Sequence, residues 1–232
     1  MTKTHNIHWV TFLLAWVAGY ADTATFVAGD SIFSAHVTGN FIVFAAQAVA
    51  GANPADWVKL LTFPVFILAV MAGGRIAKKT DTKYRILLIE SLVLLTCSAL
   101  AFMLPHWTII EEKAGMYIMV MISVAAMGLQ NAFGKLFAKE THGPTTMMTG
   151  NVTQASLDLG KVLLGGVEKE VISWMSLQKQ LITIGGFLAG CLLGALFGKL
   201  LGLGAVGVAG IALLLCYFFR SHLNCVKHNV FI

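Results

Sequence analysis

Charge is scarce in this 232-residue chain: Asp, Glu, Lys and Arg make up 12% of it, about half of the roughly 25% usual in soluble domains. Hydrophobic residues reach 57% and mean hydropathy is +0.79. Such a composition excludes an ordinary soluble domain and implies an integral membrane protein. The net charge of +5 does not point to nucleic acid, because the basic residues fall between apolar runs and not along one helix face; orientation in a bilayer accounts for them. Cysteine is also sparse. Cys97, Cys191, Cys216 and Cys225 form no C-x-x-C pair, and three lie in apolar runs, where an unbridged thiol behaves as a small hydrophobe. Neither a disulfide framework nor a metal or cofactor site is implied. Walker, H-E-x-x-H and nucleophile-elbow motifs are missing, as is any G-x-G-x-x-G following a strand. Enzymatic activity is not expected, and membrane-embedded catalysis ranks last because no nucleophile and base pair stands out.

What the chain does contain, it contains twice. His36-Val37-Thr38-Gly39-Asn40-Phe41 is answered 111 residues later by Met148-Thr149-Gly150-Asn151-Val152, and Gly19-Tyr20-Ala21-Asp22 by Gly128-Leu129-Gln130-Asn131, 109 residues on. We read one membrane domain, 1–232, built from two repeats, 9–104 and 115–220. Duplicated membrane proteins place sites near the bilayer midplane, where their halves meet. The N-terminus, with Lys3 before an apolar run from Trp9, has the look of a signal peptide. Cleavage near Ala18 or Ala21 would remove the half-site at Asp22, so a retained first helix is expected.

Apolar runs long enough to span, about 20 residues, cover 9–28, 57–77, 85–104, 115–135, 179–200 and 203–220. Two weaker segments, 37–52 and 144–166, each hold a Thr-Gly-Asn near their start; neither is expected to face lipid. Cytoplasmic loops collect Lys and Arg, and the 73–85 linker with Arg75, Lys78, Lys79, Lys83 and Arg85 fixes the inside. If the two weak segments dip in and return, basic residues divide 13 inside to 3 outside; if both cross, 8 to 8. The sequence therefore predicts an all-α, polytopic membrane protein: six transmembrane helices plus two re-entrant half-helix segments, in repeats expected to be inverted, with both termini cytoplasmic. Each Gly would turn the backbone, each Thr or Asn would cap the following helix, and the two helix N-termini would aim unpaired N–H groups at a shared point suited to an anion or carbonyl oxygen.

The candidate substrate-binding residues are Asp22, Thr38, Gly39, Asn40, Gln130, Asn131, Thr149, Gly150 and Asn151. An ionisable residue within a span is a functional candidate by default, and Asp22 is expected to titrate while its mate Asn131 cannot. The competing reading has Asp22 bonding across the repeat interface to Asn131, Gln130 or a backbone N–H, and the Thr-Gly-Asn motifs merely packing buried helices. Glu90, near Arg85, reads as a snorkelled surface pair. Asp158 can share a helix face with Asn151 and Gln154. His36 and His142 are not repeat equivalents and read as unrelated loop histidines, with a pH sensor as the other reading because an unperturbed imidazole has a pKa near 6.5. Gly186, Gly190, Gly194, Gly198 and Gly202 form a packing ridge, echoed by Ala69, Gly73 and Ala77. Trp9, Trp16, Trp57, Trp107 and Trp174 read as interfacial anchors. Valine at Gly39 or Gly150 is expected to damage assembly or close the path.

The paired Gly-x-x-Asp/Gly-x-Gln-Asn and Thr-Gly-Asn motifs resemble the YoaK-type family of bacterial inner-membrane proteins, a domain of unknown function, over roughly 15–220. The resemblance implies a six-helix protein of the bacterial cytoplasmic membrane and no particular chemistry. Two functions follow: a small-solute or anion channel or secondary transporter, with proton coupling open, or a non-transporting scaffold or partner subunit. The partners implied are the lipid bilayer and a small polar solute or anion, with homo-oligomerisation left open.

Overall fold

The computed structural model describes residues 3–51, 54–79, 82–103, 112–164 and 167–229, of which 3–6, 54–55, 167–170 and 221–229 are described as backbone alone. Trp107 lies outside these residues. Eight α-helices are described: α1 (Lys3–Ala28), α2 (Gly39–Gly51), α3 (Val58–Lys78), α4 (Arg85–Met103), α5 (Glu112–Leu136), α6 (Met148–Leu164), α7 (Val167–Leu201) and α8 (Val206–Asn229). Short 3-10 turns sit at Pro54–Trp57, Ala138–Glu140 and Gly202–Ala205, and no strand occurs among the described residues. The all-helical expectation holds. Gly202–Gly207 has G-x-G-x-x-G spacing, but it joins two helices, so the phosphate-cradling context of that motif is missing.

Five apolar stretches have membrane-spanning length: Ile7–Ala28, Val58–Lys78, Arg85–Met103, Glu112–Leu136 and Val171–Arg220. The last holds 50 residues, about 75 Å if it were one straight helix and over twice the thickness of a bilayer core. It is broken at Gly202, whose φ of +60° ends α7 in the left-handed region that glycine enters freely.

α1 is the most enclosed of the four singly spanning helices, and α7 lies along it. Lipid is as apolar as leucine, so helices in a membrane adhere through close van der Waals contact of small residues more than through apolar burial. The glycine ridge does this. A Cβ on Gly186, Gly190 or Gly194 would run into the backbone of Phe12, Trp16 or Tyr20, and one on Gly198 would press on Ala24. Contacts advance together along both helices, so α1 and α7 are parallel; Gly202 ends the ridge instead of extending it. α3 and α5 form a second parallel seam, in which Gly73 faces Ala132 and Gly128 faces Ala69. α4 and α8 run antiparallel, the Ser91 hydroxyl donating to Gly210 O at 2.9 Å and the Ser98 hydroxyl to Gly204 O at 2.7 Å. Trp16, read as an anchor, instead stacks on Tyr20 within α1.

α7 begins twelve residues before the apolar run expected at 179 because its first turns carry α6, where the buried Asp158 accepts a hydrogen bond from Gln154 at 2.9 Å. The neighbouring Ser176 hydroxyl foremost, then the Gln154 amide and Lys161, hold its carboxyl below the usual range. Two expectations are corrected. α2 and α6 expose apolar side chains, Ile42, Val49, Leu163 and Leu164 among them, because each packs by one side only; they face outward after all. Glu90 makes no pair with Arg85. It is completely buried where α4 meets α8, while Arg85 is exposed.

Candidate functional site: two polar loops on one helix

Asp30, at the end of α1, has φ of +57° and is fixed by two other helices: Lys59 Nζ of α3 lies 3.0 Å from its Oδ2, and the Tyr117 hydroxyl of α5 donates to the same oxygen at 3.0 Å. The Lys59 contact joins the end of α1 to the start of α3. The intervening chain folds back onto α1. Ala35 N–H donates to Asp22 Oδ1 at 2.6 Å, His36 N–H to the same oxygen at 3.2 Å, and His36 Nδ1 lies 2.6 Å from Asp22 Oδ2. The Asp22 hydrogen bond raises the pKa of His36 against the opposing effect of burial. The imidazole edge meets Phe187 of α7.

A second loop, 137–147, reaches the other end of α1. Thr11 Oγ1 accepts from His142 N–H at 3.0 Å, and Gln130 donates to Leu14 O at 2.7 Å and to Thr145 at 3.2 Å. Asn131 Oδ1 accepts the Thr146 hydroxyl at 2.7 Å. Asp22–Ala35 and Asn131–Thr146 occupy the same place in their respective loops, one built with a charge and the other without. Burial, then the nearby His8 and Lys179, lower the His142 pKa to about 4.

The motif asparagines are loop staples. Asn40 accepts from Phe33 N–H at 2.8 Å and donates to Phe33 O at 2.9 Å and to Thr62 at 3.1 Å. Asn151 donates to Pro144 O at 2.9 Å; Pro144 stands where the first loop has Phe33 and has no N–H to return. Neither asparagine caps its helix. The first N–H groups of α2 are already taken, Gly39 by His36 O, Asn40 by Val37 O and Phe41 by Thr38 O, so the expected unpaired donors at that terminus are absent. Gly39 opens α2 and Gly150 lies inside α6, and left-handed backbone in the loops falls at Asp30, Ser31 and Gly143 instead. Thr38, Thr149 and Gly150 are exposed.

Asp22 reaches the backbone N–H groups of Ala35 and His36 in its own half, and its hydrogen bonds do not cross to Asn131 or Gln130 as the competing reading had it. The loops nonetheless approach each other along α1. Leu14 and Asp22, eight residues apart, are about 12 Å apart on a helix, well under half the thickness of a bilayer core. Near this stretch two buried polar atoms have no partner: Ser34 Oγ in the first loop and Gln130 Oε1 facing the second. Sequence reasoning missed His36, Ser34, Thr145 and Thr146. For His36 a signal existed, since a buried carboxylate needs a partner and this histidine stands within the same motif.

Residues 10–219 match a family model described as "Protein of unknown function (DUF1275)". The chain belongs to the DUF1275 family. This membership agrees with the resemblance carried by the paired motifs, and it assigns no activity. No curated protein and no solved structure matches the chain.

Proposed function

We propose that this DUF1275 chain is a small-solute or anion channel or secondary transporter of the bacterial cytoplasmic membrane. The reading is carried by the two polar loops that close on α1 from opposite ends and leave unpartnered hydrogen-bonding atoms, Ser34 Oγ and Gln130 Oε1, within an apolar bundle. Buried polar groups normally find partners, and a solute or water file would supply them here. Asp22, Thr38, Gly39, Asn40, Gln130, Asn131, Thr149, Gly150 and Asn151 form the proposed path and its supports, with His36 added.

The proposed topology has six crossings. The Asp30–Lys59 contact returns α2 to the side from which its loop entered, and the parallel course of α1 and α7 does the same for α6. The halves then start from opposite faces, as inverted repeats do. Arg75, Lys78, Lys79, Lys83, Arg85, Lys135, Lys139 and Arg220 share one face, which the positive-inside rule makes cytoplasmic. Cysteines introduced at Lys83 and Trp57 should label from opposite sides; labelling from one side overturns the topology.

The scaffold reading is favoured by the staples, since Asn40 and Asn151 spend their amides inside their own loops. Proteoliposome flux across a panel of small anions and polar solutes, joined to ligand-induced thermal shifts, separates the two. A solute that raises stability and crosses the membrane supports transport. Silence in both assays, with the protein folded, favours the scaffold.

A further inference from the structure

Glu90 is completely buried, and neither carboxylate oxygen has a hydrogen-bond partner. It lies in the apolar stretch Arg85–Met103, five residues from its start, or about 8 Å along the helix. An ionised carboxylate with neither water nor a partner is strongly disfavoured in such a medium. Among the described residues the surroundings supply no cation. On α8 the titratable neighbour is Cys216, with Arg220 one turn outward; Arg220 is committed to the Tyr84 oxygen, at 2.7 and 3.0 Å, and to Glu140 at 3.8 Å. The Tyr84–Phe133 and Cys97–Met119 contacts set Met127 of α5 opposite Glu90, and Gln130, one turn on, is uncharged. Arg75, Lys78 and Lys79 of α3 are exposed, and the Gly202–Ala205 turn carries no ionisable group.

We infer that Glu90 is a proton-binding site: its carboxyl is held neutral in the α4–α8 seam and exchanges its proton with the cytoplasmic face only when the cover of Tyr84, Glu140 and Arg220 parts. That cover is itself cross-linked, since the Tyr84 hydroxyl donates to Glu140 Oε2 at 2.7 Å and Lys83 reaches Oε1 at 2.8 Å. Asp22, by contrast, has two N–H groups and an imidazole, so the carboxyl able to carry a proton through an apolar seam is Glu90. Its use in coupling rests on the transport reading above; occupancy by a proton does not.

Infrared difference spectroscopy of the full chain in lipid tests this. A carbonyl stretch of a protonated carboxylic acid should be present at neutral pH, shift when glutamate is 13C-labelled and not when aspartate is, vanish in Glu90→Gln, and persist in Asp22→Asn. In Glu90→Asp, the conservative variant, the band should follow the aspartate label instead. Absence of the band in the unaltered protein, a response to the aspartate label there, or survival of the band in Glu90→Gln overturns the proposal. The isotope arms assign the band to a glutamate even if a variant fails to fold, and Glu90→Asp, as the second variant, assigns it to position 90. Failure of flux assays would leave the band in place, whereas loss of the band with flux intact removes the proton site alone.

Discussion

The two loops make matching contacts with different chemistry. In the first, a carboxylate and a histidine close the turn on α1; in the second, Asn131 and Thr146 do the same with neutral groups, and Gln130 reaches across to the backbone of α1. A repeated sequence motif therefore does not require a repeated electrostatic solution. What both loops need is an acceptor near the end of the long helix, in Asp22 or Asn131, and a staple seven residues long at the start of the short one.

The contrast breaks most sharply at that acceptor. Asp22→Ala leaves two N–H groups and an imidazole without their acceptor, and should cost about 3 kcal/mol of unfolding free energy; His36, 38% exposed, keeps the figure from going higher. Asn131→Ala, which frees a hydroxyl, should cost about 1 kcal/mol. Denaturant unfolding in detergent measures both, and equal losses would mean that the charge adds nothing. Next come the staples. Asn40→Ala removes three hydrogen bonds and should cost about 2 kcal/mol, against about 1 kcal/mol for Asn151→Ala.

The pH dependence sharpens the comparison further, because the two loop histidines are shifted in opposite senses. The raised pKa of His36 means that the folded state holds its proton more tightly, so its contribution is complete below the ordinary value of 6.5 and is lost as pH rises through the raised value. His142, lowered to about 4, contributes above 6.5 and loses that contribution as pH falls toward 4. Thermal melts should therefore show His36→Asn removing an alkaline loss of stability and His142→Asn removing an acid loss. The same slope in both variants would show that neither histidine is the source.

The smallest effects are expected at the motif glycines. No atom lies within 4 Å of the place where a Cβ on Gly150 would sit, while at Gly39 the Phe33 ring lies at 3.0 Å. Gly150→Ala should leave stability unchanged or raise it by up to about 1 kcal/mol, as alanine favours a helix, and Gly39→Ala should lower it by less than about 1 kcal/mol. A large loss at Gly150, measured by the same unfolding assay, would restore the close-approach role that the sequence suggested.

Helix positions were legible because apolar length and turn residues act locally: α3, α4 and α5 begin and end within three residues of their expected bounds. The ridge at Gly186 to Gly198 was legible for the same reason, since a spacing of four puts small residues on one face. Other features depend on neighbours that spacing does not name. Glu90 was misread because its partner was sought in the adjacent Arg85, whereas α8 and the second loop claim the local charges. Thr-Gly-Asn was recognised as a repeated unit, but its asparagine could be read as a cap or a ligand until Phe33 and Pro144 were seen to receive it. His36 was set aside because no repeat mate existed, although the asymmetry of Asp22 itself called for an asymmetric partner.

The seam between α1 and α7 has a consequence for biogenesis. The surface that α1 buries, from Phe12 to Ala24, is completed by glycines at 186 to 198, so α1 leaves the ribosome long before the helix that completes it exists. During that interval Asp22 already has His36, which emerges soon after it, while the groove for the glycines stays open to lipid or to insertion machinery. A nascent chain halted after α6 would hold both loops but no completed core, and would be the species most exposed to membrane proteases.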